Sequence, residues 1–232
     1  MDTNNSIAKT QIYNVIILDK SGSMYSIKNS AIAGYNETIG SIRAAQLKFA
    51  ETQEHYISLV TFCGCGTKAI YDCVPIRDAE NLTSEQYAPC CCTPLYDAIG
   101  ATINRITDKT RSVDDAAVLI TIITDGMENA SKEWTGVAVK RLIDERKEDG
   151  WMFSYIGADH DVESAAAKIS ITNTIVWDKS EAGTAEMFDC ENKSRTVFFN
   201  KLSESMNTFM SSEERRNQRK QFASEYYNED EF

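Results

Sequence analysis

The sequence is short of chain-breaking residues and of positive charge. It has 3 prolines and 11 glycines in 232 residues, too few for a long Pro/Gly linker. Lys and Arg number 24 against 35 Asp and Glu, a formal charge of −11. That deficit excludes a general nucleic-acid binder, because phosphate neutralisation needs a basic face. It likewise excludes docking on anionic lipid. No stretch of about 18 apolar residues occurs, so no membrane helix is expected. The opening Met1-Asp2-Thr3-Asn4-Asn5-Ser6 lacks the basic start and apolar core of a secretory signal. A Gly-x-Ser-x-Gly nucleophile elbow is missing, and so is a Gly-x4-Gly-Lys-Ser/Thr phosphate loop.

What is present is globular: 42% hydrophobic and 25% charged residues. The length suits one α/β domain with an appendage, or two small domains. Seven cysteines are an odd number, and they are crowded, with Cys90, Cys91 and Cys92 consecutive and Cys63 one residue from Cys65. Such crowding is hazardous in an oxidising compartment and harmless in a reduced one, so a cytoplasmic protein with free thiols is expected.

The pattern along the chain alternates between two periods. Residues 12–19 form a β-branched apolar run ending in Asp19, which suits a buried parallel strand. Ser26 is placed to cap a helix over 27–50, where Ile27, Ala31, Tyr35, Ile39 and Ile42 recur at helical spacing. Residues 55–63 and 67–73 predict a hairpin turning at Gly64 and Gly66. A short helix is placed around 83–87, and Pro94 opens the next one. Residues 117–124 are the most strand-like run and end at Asp125-Gly126. A helix over 131–149, a strand at 151–156, a helix at 161–168 and a strand at 174–178 follow. This order predicts an α/β fold, an open, doubly wound, mostly parallel sheet flanked by helices. The expected divisions are an extension at 1–11, a domain at 12–178, a C-terminal helical extension packed on it at 179–210, and a charged, mobile tail at 211–232.

In such a sheet, ligands bind beyond the carboxyl ends of the strands, where strand order reverses. Asp19 and Asp125 end two predicted central strands. Asp19-x-Ser21-x-Ser23 turns alternate side chains toward one point, and Gly22 permits the tight path. Thr93 stands before a helix able to return to the same edge. Two carboxylates and three hydroxyls are hard donors, suited to Mg²⁺, with Mn²⁺ or Ca²⁺ possible, and unlike the nitrogen and sulfur that zinc prefers. Taken singly, each of the five also reads as a turn or cap residue.

Together, Asp19-Lys20-Ser21-Gly22-Ser23, Thr93 before Pro94-Leu95-Tyr96-Asp97-Ala98, and Ile123-Thr124-Asp125-Gly126 resemble the metal-ion-dependent adhesion site of von Willebrand factor type A domains. The likeness spans about residues 12–178. It implies that Ser21, Ser23 and Thr93 coordinate Mg²⁺ directly, with Asp19 and Asp125 acting largely through water. It also implies that a partner protein supplies an Asp or Glu to the open position. In the family glycines often precede this threonine; here Cys91 and Cys92 do.

The expected function is therefore a cytosolic, Mg²⁺-dependent protein-interaction module, a subunit or adaptor of a larger assembly, and not an enzyme. The helix N-terminus at Pro94 is expected to add positive potential at the metal. A phosphatase of the haloacid dehalogenase type is the alternative enzyme reading. It requires a second Asp where Ser21 stands, and a hydroxyl is no proton donor near neutral pH. A metal-free scaffold is the third reading. The cysteines lack two pairs at the two-to-four-residue spacing usual for zinc, so small, buried, inert thiols are expected. A second metal site or a redox switch is the sharper reading, with Cys91 or Cys92 as the reactive thiol. His55 is expected at the surface, His160 past a strand end at the functional edge, as a loop residue capping the next helix more than as a neighbour of the metal, and Asn129 as the cap of the helix after Asp125.

Overall fold

The computed structural model describes residues 9–158, 161–205 and 210–227. His160 lies outside the described residues, and so do 206–209, where the hydrophobic pattern also placed helix.

Six strands form one sheet: β1 (Thr10–Asp19), β2 (Gln53–Cys63), β3 (Gly66–Pro75), β4 (Ala116–Thr124), β5 (Met152–Gly157) and β6 (Asn173–Val176). Their spatial order is β3-β2-β1-β4-β5-β6, and every pair is parallel except the β2–β3 hairpin. The helices are α1 (Lys28–Lys48), α2 (Leu95–Thr110), α3 (Gly136–Glu148), α4 (Val162–Lys168), α5 (Glu181–Ser205) and α6 (Ser212–Ser224). No described helix is long and apolar enough to cross a membrane.

The strand period of two divides the core. Ile12, Ile16 and Leu18 of β1 point to one face and pack with α1 and α5. Tyr13, Val15 and Ile17 point to the other and pack with α2, α3 and α4. Both faces are covered, which is why the central strands read as continuous apolar runs. Strand order reverses beside β1, with β2 on one side and β4 on the other, so the carboxyl ends of β1 and β4 flank the crevice where such sheets bind ligands.

Several boundaries differ from expectation for local reasons. A 3-10 helix over Gly22–Ile27 precedes α1, so Ser26 lies inside it and caps nothing. Residues 84–86 make a turn, closed by the Tyr87 amide donating to the Thr83 carbonyl at 3.1 Å, where a short helix was expected. Helix α3 begins at Gly136, capped by Thr135 and not by Asn129. The preceding loop is held instead by Asp97, whose carboxylate accepts the amides of Lys132, Glu133 and Trp134.

Residues 211–227 of the expected mobile tail at 211–232 form a docked segment, and 228–232 lie outside the described residues. Ser211 and Glu214 form a capping box at the start of α6, Arg219 pairs with Asp115 at 2.7 Å, and Tyr226 is buried. Its anchor is a polar stripe on the α5 face of the sheet. Arg195 of α5, fully buried, pairs with Glu191 at 2.6 Å and donates to Asn14 of β1 at 3.0 Å and Thr121 of β4 at 2.9 Å. Tyr226 and Tyr227 donate to the two oxygens of Glu191 at 3.1 and 2.5 Å. Helix α5 reaches this position because Gly34 of α1 has no side chain; a Cβ there would lie 2.0 Å from the Phe188 ring.

Candidate metal centre

Asp19 is the last residue of β1, fully buried, and its two oxygens are committed locally. The Ser21 amide donates to Oδ1 at 2.6 Å, and the Thr124 hydroxyl, from the adjacent tip of β4, donates to Oδ2 at 2.7 Å. Its carbonyl accepts from the buried Tyr87 hydroxyl at 2.5 Å. Burial pushes the Asp19 carboxyl up to about 6, against the pull of the Thr124 and Ser21 hydrogen bonds, and the charge of Asp125 adds to the rise. A cation beside such a group favours its charged form.

The loop after Asp19 crosses to β4. The Ser21 and Ser23 hydroxyls are 3.1 Å apart, and Ser23 donates to Asp125 Oδ1 at 2.7 Å. Ser21 and Asp125 are buried, whereas Ser23 is exposed. Thr93 is buried beside them; a Cβ built on Gly126 would stand 3.6 Å from its hydroxyl. Its backbone is clamped by Asn129, which accepts from the Thr93 amide at 2.9 Å and donates its own amide to the Thr93 carbonyl at 3.2 Å. Asp19, Ser21, Ser23, Thr93 and Asp125 thus meet at one edge of the sheet. Their donors are oxygen alone, two carboxylates and three hydroxyls, which fits a hard divalent cation.

Three features escaped the sequence. Lys179, after β6, reaches Asp125 Oδ2 at 2.6 Å as an ion pair without hydrogen-bond alignment. No local motif marks it, since it lies 54 positions from Asp125 in the chain. The N-terminus of α2 is also occupied. Glu128 accepts from the Tyr96 amide at 2.8 Å and Ser131 from the Asp97 amide at 3.0 Å, so its positive end is spent on this loop and not on the metal residues. Finally, His55 is buried, not at the surface. It stacks edge-on against Phe199 and sits 3.0 Å from Gln53 Oε1. The alternation Gln53, His55, Ile57 into the core was the signal available.

The cysteine loop forms one wall of this site. Cys90 donates its amide to the Lys20 carbonyl at 2.8 Å, and Gly22 donates to the Cys91 carbonyl at 3.0 Å. None of the seven cysteines is in a disulfide. They are not uniformly buried thiols: Cys63 is buried, but Cys65, Cys91 and Cys92 are exposed. Cys65 and Cys91 sulfurs are 3.2 Å apart, a contact that lowers the Cys65 pKa and raises that of Cys91. Cys90 is pushed up to about 12, first by its contact with Cys63 and then by burial.

These features define an open, mostly parallel, Rossmann-like α/β sheet with oxygen donors at its switch point. Solved structures share that fold. The pilus adhesin SpaC from Lactobacillus rhamnosus GG is similar with a TM-score of 0.60 at 13% identity, over 83% of this chain and 31% of that one. Proximal thread matrix protein 1 from the mussel byssus is similar with a TM-score of 0.51 at 12% identity, over 78% of this chain and 45% of that one. A form of the mussel protein with a zinc-occupied MIDAS motif matches with a TM-score of 0.51 at 9% identity, over 85% of this chain and 46% of that one. The chain therefore spans less than half the length of these proteins. No protein-family model and no curated protein matches the sequence.

Proposed function

We propose that this protein is a von Willebrand factor A-like binding module that docks a protein partner through a divalent cation, and that it is not an enzyme. The observation that carries the reading is the hydroxyl bridge across the switch point: Ser21 to Ser23 at 3.1 Å and Ser23 to Asp125 at 2.7 Å. Ser21, Ser23 and Thr93 would hold the ion, with Asp19 and Asp125 behind them. The ion would supply a positive charge that neutral hydroxyls leave uncompensated, so a carboxylate from a partner is the favoured incoming ligand. The mussel protein with a metal in such a motif supports divalent-ion binding in general; the hard donors favour Mg²⁺ here.

The surroundings suit docking. Tyr25, two residues beyond Ser23, is 73% exposed, and Met127, two beyond Asp125, is 63% exposed. Tyrosine and methionine are among the residue types enriched at protein interfaces. We place the module in the reduced cytosol, in keeping with its free thiols, as a subunit or adaptor of a larger assembly.

The test is a melting curve with and without Mg²⁺ or Mn²⁺, paired with an affinity capture in the presence and absence of EDTA. The cation should raise the melting temperature of the wild type, and the exposed-site variant Ser23→Ala should lose most of that rise. Captured partners should be released by EDTA. A wild type that no divalent ion stabilises would end this reading.

A further inference from the structure

We propose that Cys63, Cys65, Cys90 and Cys91 form a second cation site, a thiolate cluster for a single soft or borderline divalent ion of the zinc class. Two short segments bring the sulfurs together: the turn after β2 and the loop before Thr93. Cys63 Sγ lies 3.4 Å from Cys90 Sγ, Cys90 Sγ lies 3.8 Å from Cys65 Sγ, and Cys65 Sγ lies 3.2 Å from Cys91 Sγ. Cys63, Cys65 and Cys90 have their sulfurs all within 4.8 Å of one another. In a tetrahedral centre with Zn–S bonds of about 2.3 Å, neighbouring sulfurs are about 3.8 Å apart. Cys63, Cys65 and Cys90 already stand near that spacing, and Cys91 touches Cys65, so an ion held by the first three can recruit Cys91 by rotation of its side chain.

The backbone is shaped for this meeting. Gly64 lies between the two turn cysteines, and a Cβ there would stand 3.1 Å from Cys91 Cβ and 3.2 Å from the Cys92 amide nitrogen, so the turn packs closely on the loop. Cys91 holds a positive φ of 63°, a conformation unfavourable for a side-chain-bearing residue. It lets two consecutive residues, Cys90 and Cys91, offer their sulfurs to the same turn. A disulfide would consume two of these thiols and leave a third in contact with it, open to exchange. A cation uses all four at once. Binding is an exchange: four thiols lose their protons to solvent and the divalent ion takes four thiolates, leaving the cluster with a net charge of −2.

Hardness gives the two sites different preferences. Thiolates select soft and borderline ions, and the oxygen site selects hard ones. The sites share the loop from Cys90 to Thr93, which is tied to Lys20 and Gly22 by backbone hydrogen bonds. Filling the thiolate cluster would therefore fix the loop that carries Thr93. The cluster itself does not depend on the oxygen site being filled.

The experiment is a titration of the fully reduced, full-length chain with Co²⁺ under anaerobic conditions, followed by Zn²⁺. The expected result is an intense visible spectrum of tetrahedral cobalt with sulfur-to-metal charge transfer, saturating at one ion per chain and bleached by Zn²⁺. Cys65→Ser and Cys91→Ser change exposed side chains, so folding should persist, and each should weaken cobalt binding by about tenfold or more. Cys190→Ser and Ser23→Ala should leave the charge-transfer band and its affinity unchanged. The Ser23→Ala arm separates this site from the oxygen site, whose cobalt complex has no thiolate band. A reduced protein with seven titratable thiols and no charge-transfer band would overturn the proposal. So would unchanged cobalt affinity in Cys65→Ser, or alkylation of Cys65 and Cys91 at equal rates with and without Zn²⁺.

Discussion

At the scale of single residues, Lys179 and His55 carry charge-dependent consequences. The Lys179 ammonium already pairs with Asp125 Oδ2, so a divalent ion at that carboxylate competes with it. Lys179→Met should tighten Mg²⁺ binding by about tenfold, ~1.4 kcal/mol of competition removed. The same change should lower the melting temperature of the metal-free protein, because it leaves a buried carboxylate unpaired. Calorimetric titration checks the first effect; equal or weaker Mg²⁺ affinity in the variant would show that Lys179 does not compete. His55 has its pKa lowered from 6.5 to about 4, first by burial and then by the nearby Arg195 charge. The folded imidazole therefore stays neutral down to about pH 4, while the unfolded one takes a proton below about 6.5. Unfolding takes up that proton within this window, so the His55 contribution to stability falls as pH drops from about 6.5 to 4, by ~3 kcal/mol, while the raised Asp19 carboxyl acts in the opposite sense below about 6. Urea denaturation at several pH values should show the stability of His55→Gln gaining on that of the wild type as pH drops through this window, since the Asp19 contribution is common to both.

At the scale of elements, the sheet's polar interruptions explain the C-terminus. Asn14, Thr121 and Ser154 break apolar runs in β1, β4 and β5, and Ser154 donates to Thr121 at 3.2 Å. Read along each strand, they are isolated polar residues. Across the sheet they lie on the α5 face and receive Arg195 and Glu191, with Tyr226 and Tyr227 closing the network. A buried ion pair is weak evidence for net stabilisation, but breaking one leaves an uncompensated charge. Arg195→Met should therefore cost about 3–5 kcal/mol, and adding Glu191→Gln should recover part of that loss. Denaturant midpoints of the two single variants and the double variant measure it; strictly additive losses would mean that the two side chains act independently. The helical periods of α1 and α2 were legible because each helix buries one face along a contiguous stretch, the β2–β3 hairpin because Gly64 and Gly66 mark its turn, and β4 because burial on both faces makes it one apolar run. The docking of α6 was not, because its sequence is strongly charged and its anchors, Asp115 and Glu191, lie far away in the chain.

At the scale of the whole molecule, the charge of −11 surrounds a site proposed to bear a cation. Long-range attraction then favours a partner that is basic overall, while the bond itself requires one presented Asp or Glu. Association should slow as ionic strength rises, and stopped-flow rates from low to physiological salt test this; a salt-independent on-rate would remove the steering. The sequence by itself determined the class of fold and the oxygen donors of the proposed site. Strand and helix periods are local, and Asp19, Ser21 and Ser23 lie within one loop at a strand tip. Tertiary structure alone decided which distant groups join them. It brought Lys179 to Asp125, set Glu128 over the start of α2, buried His55 under Phe199, and gathered Cys63, Cys65 and Cys90, with Cys91 against Cys65, from two segments whose spacing had argued against a zinc-type site. The physical reason is the same in each case: ligand sets and ion pairs depend on distance in space, and chain spacing fixes that distance only within a turn or two.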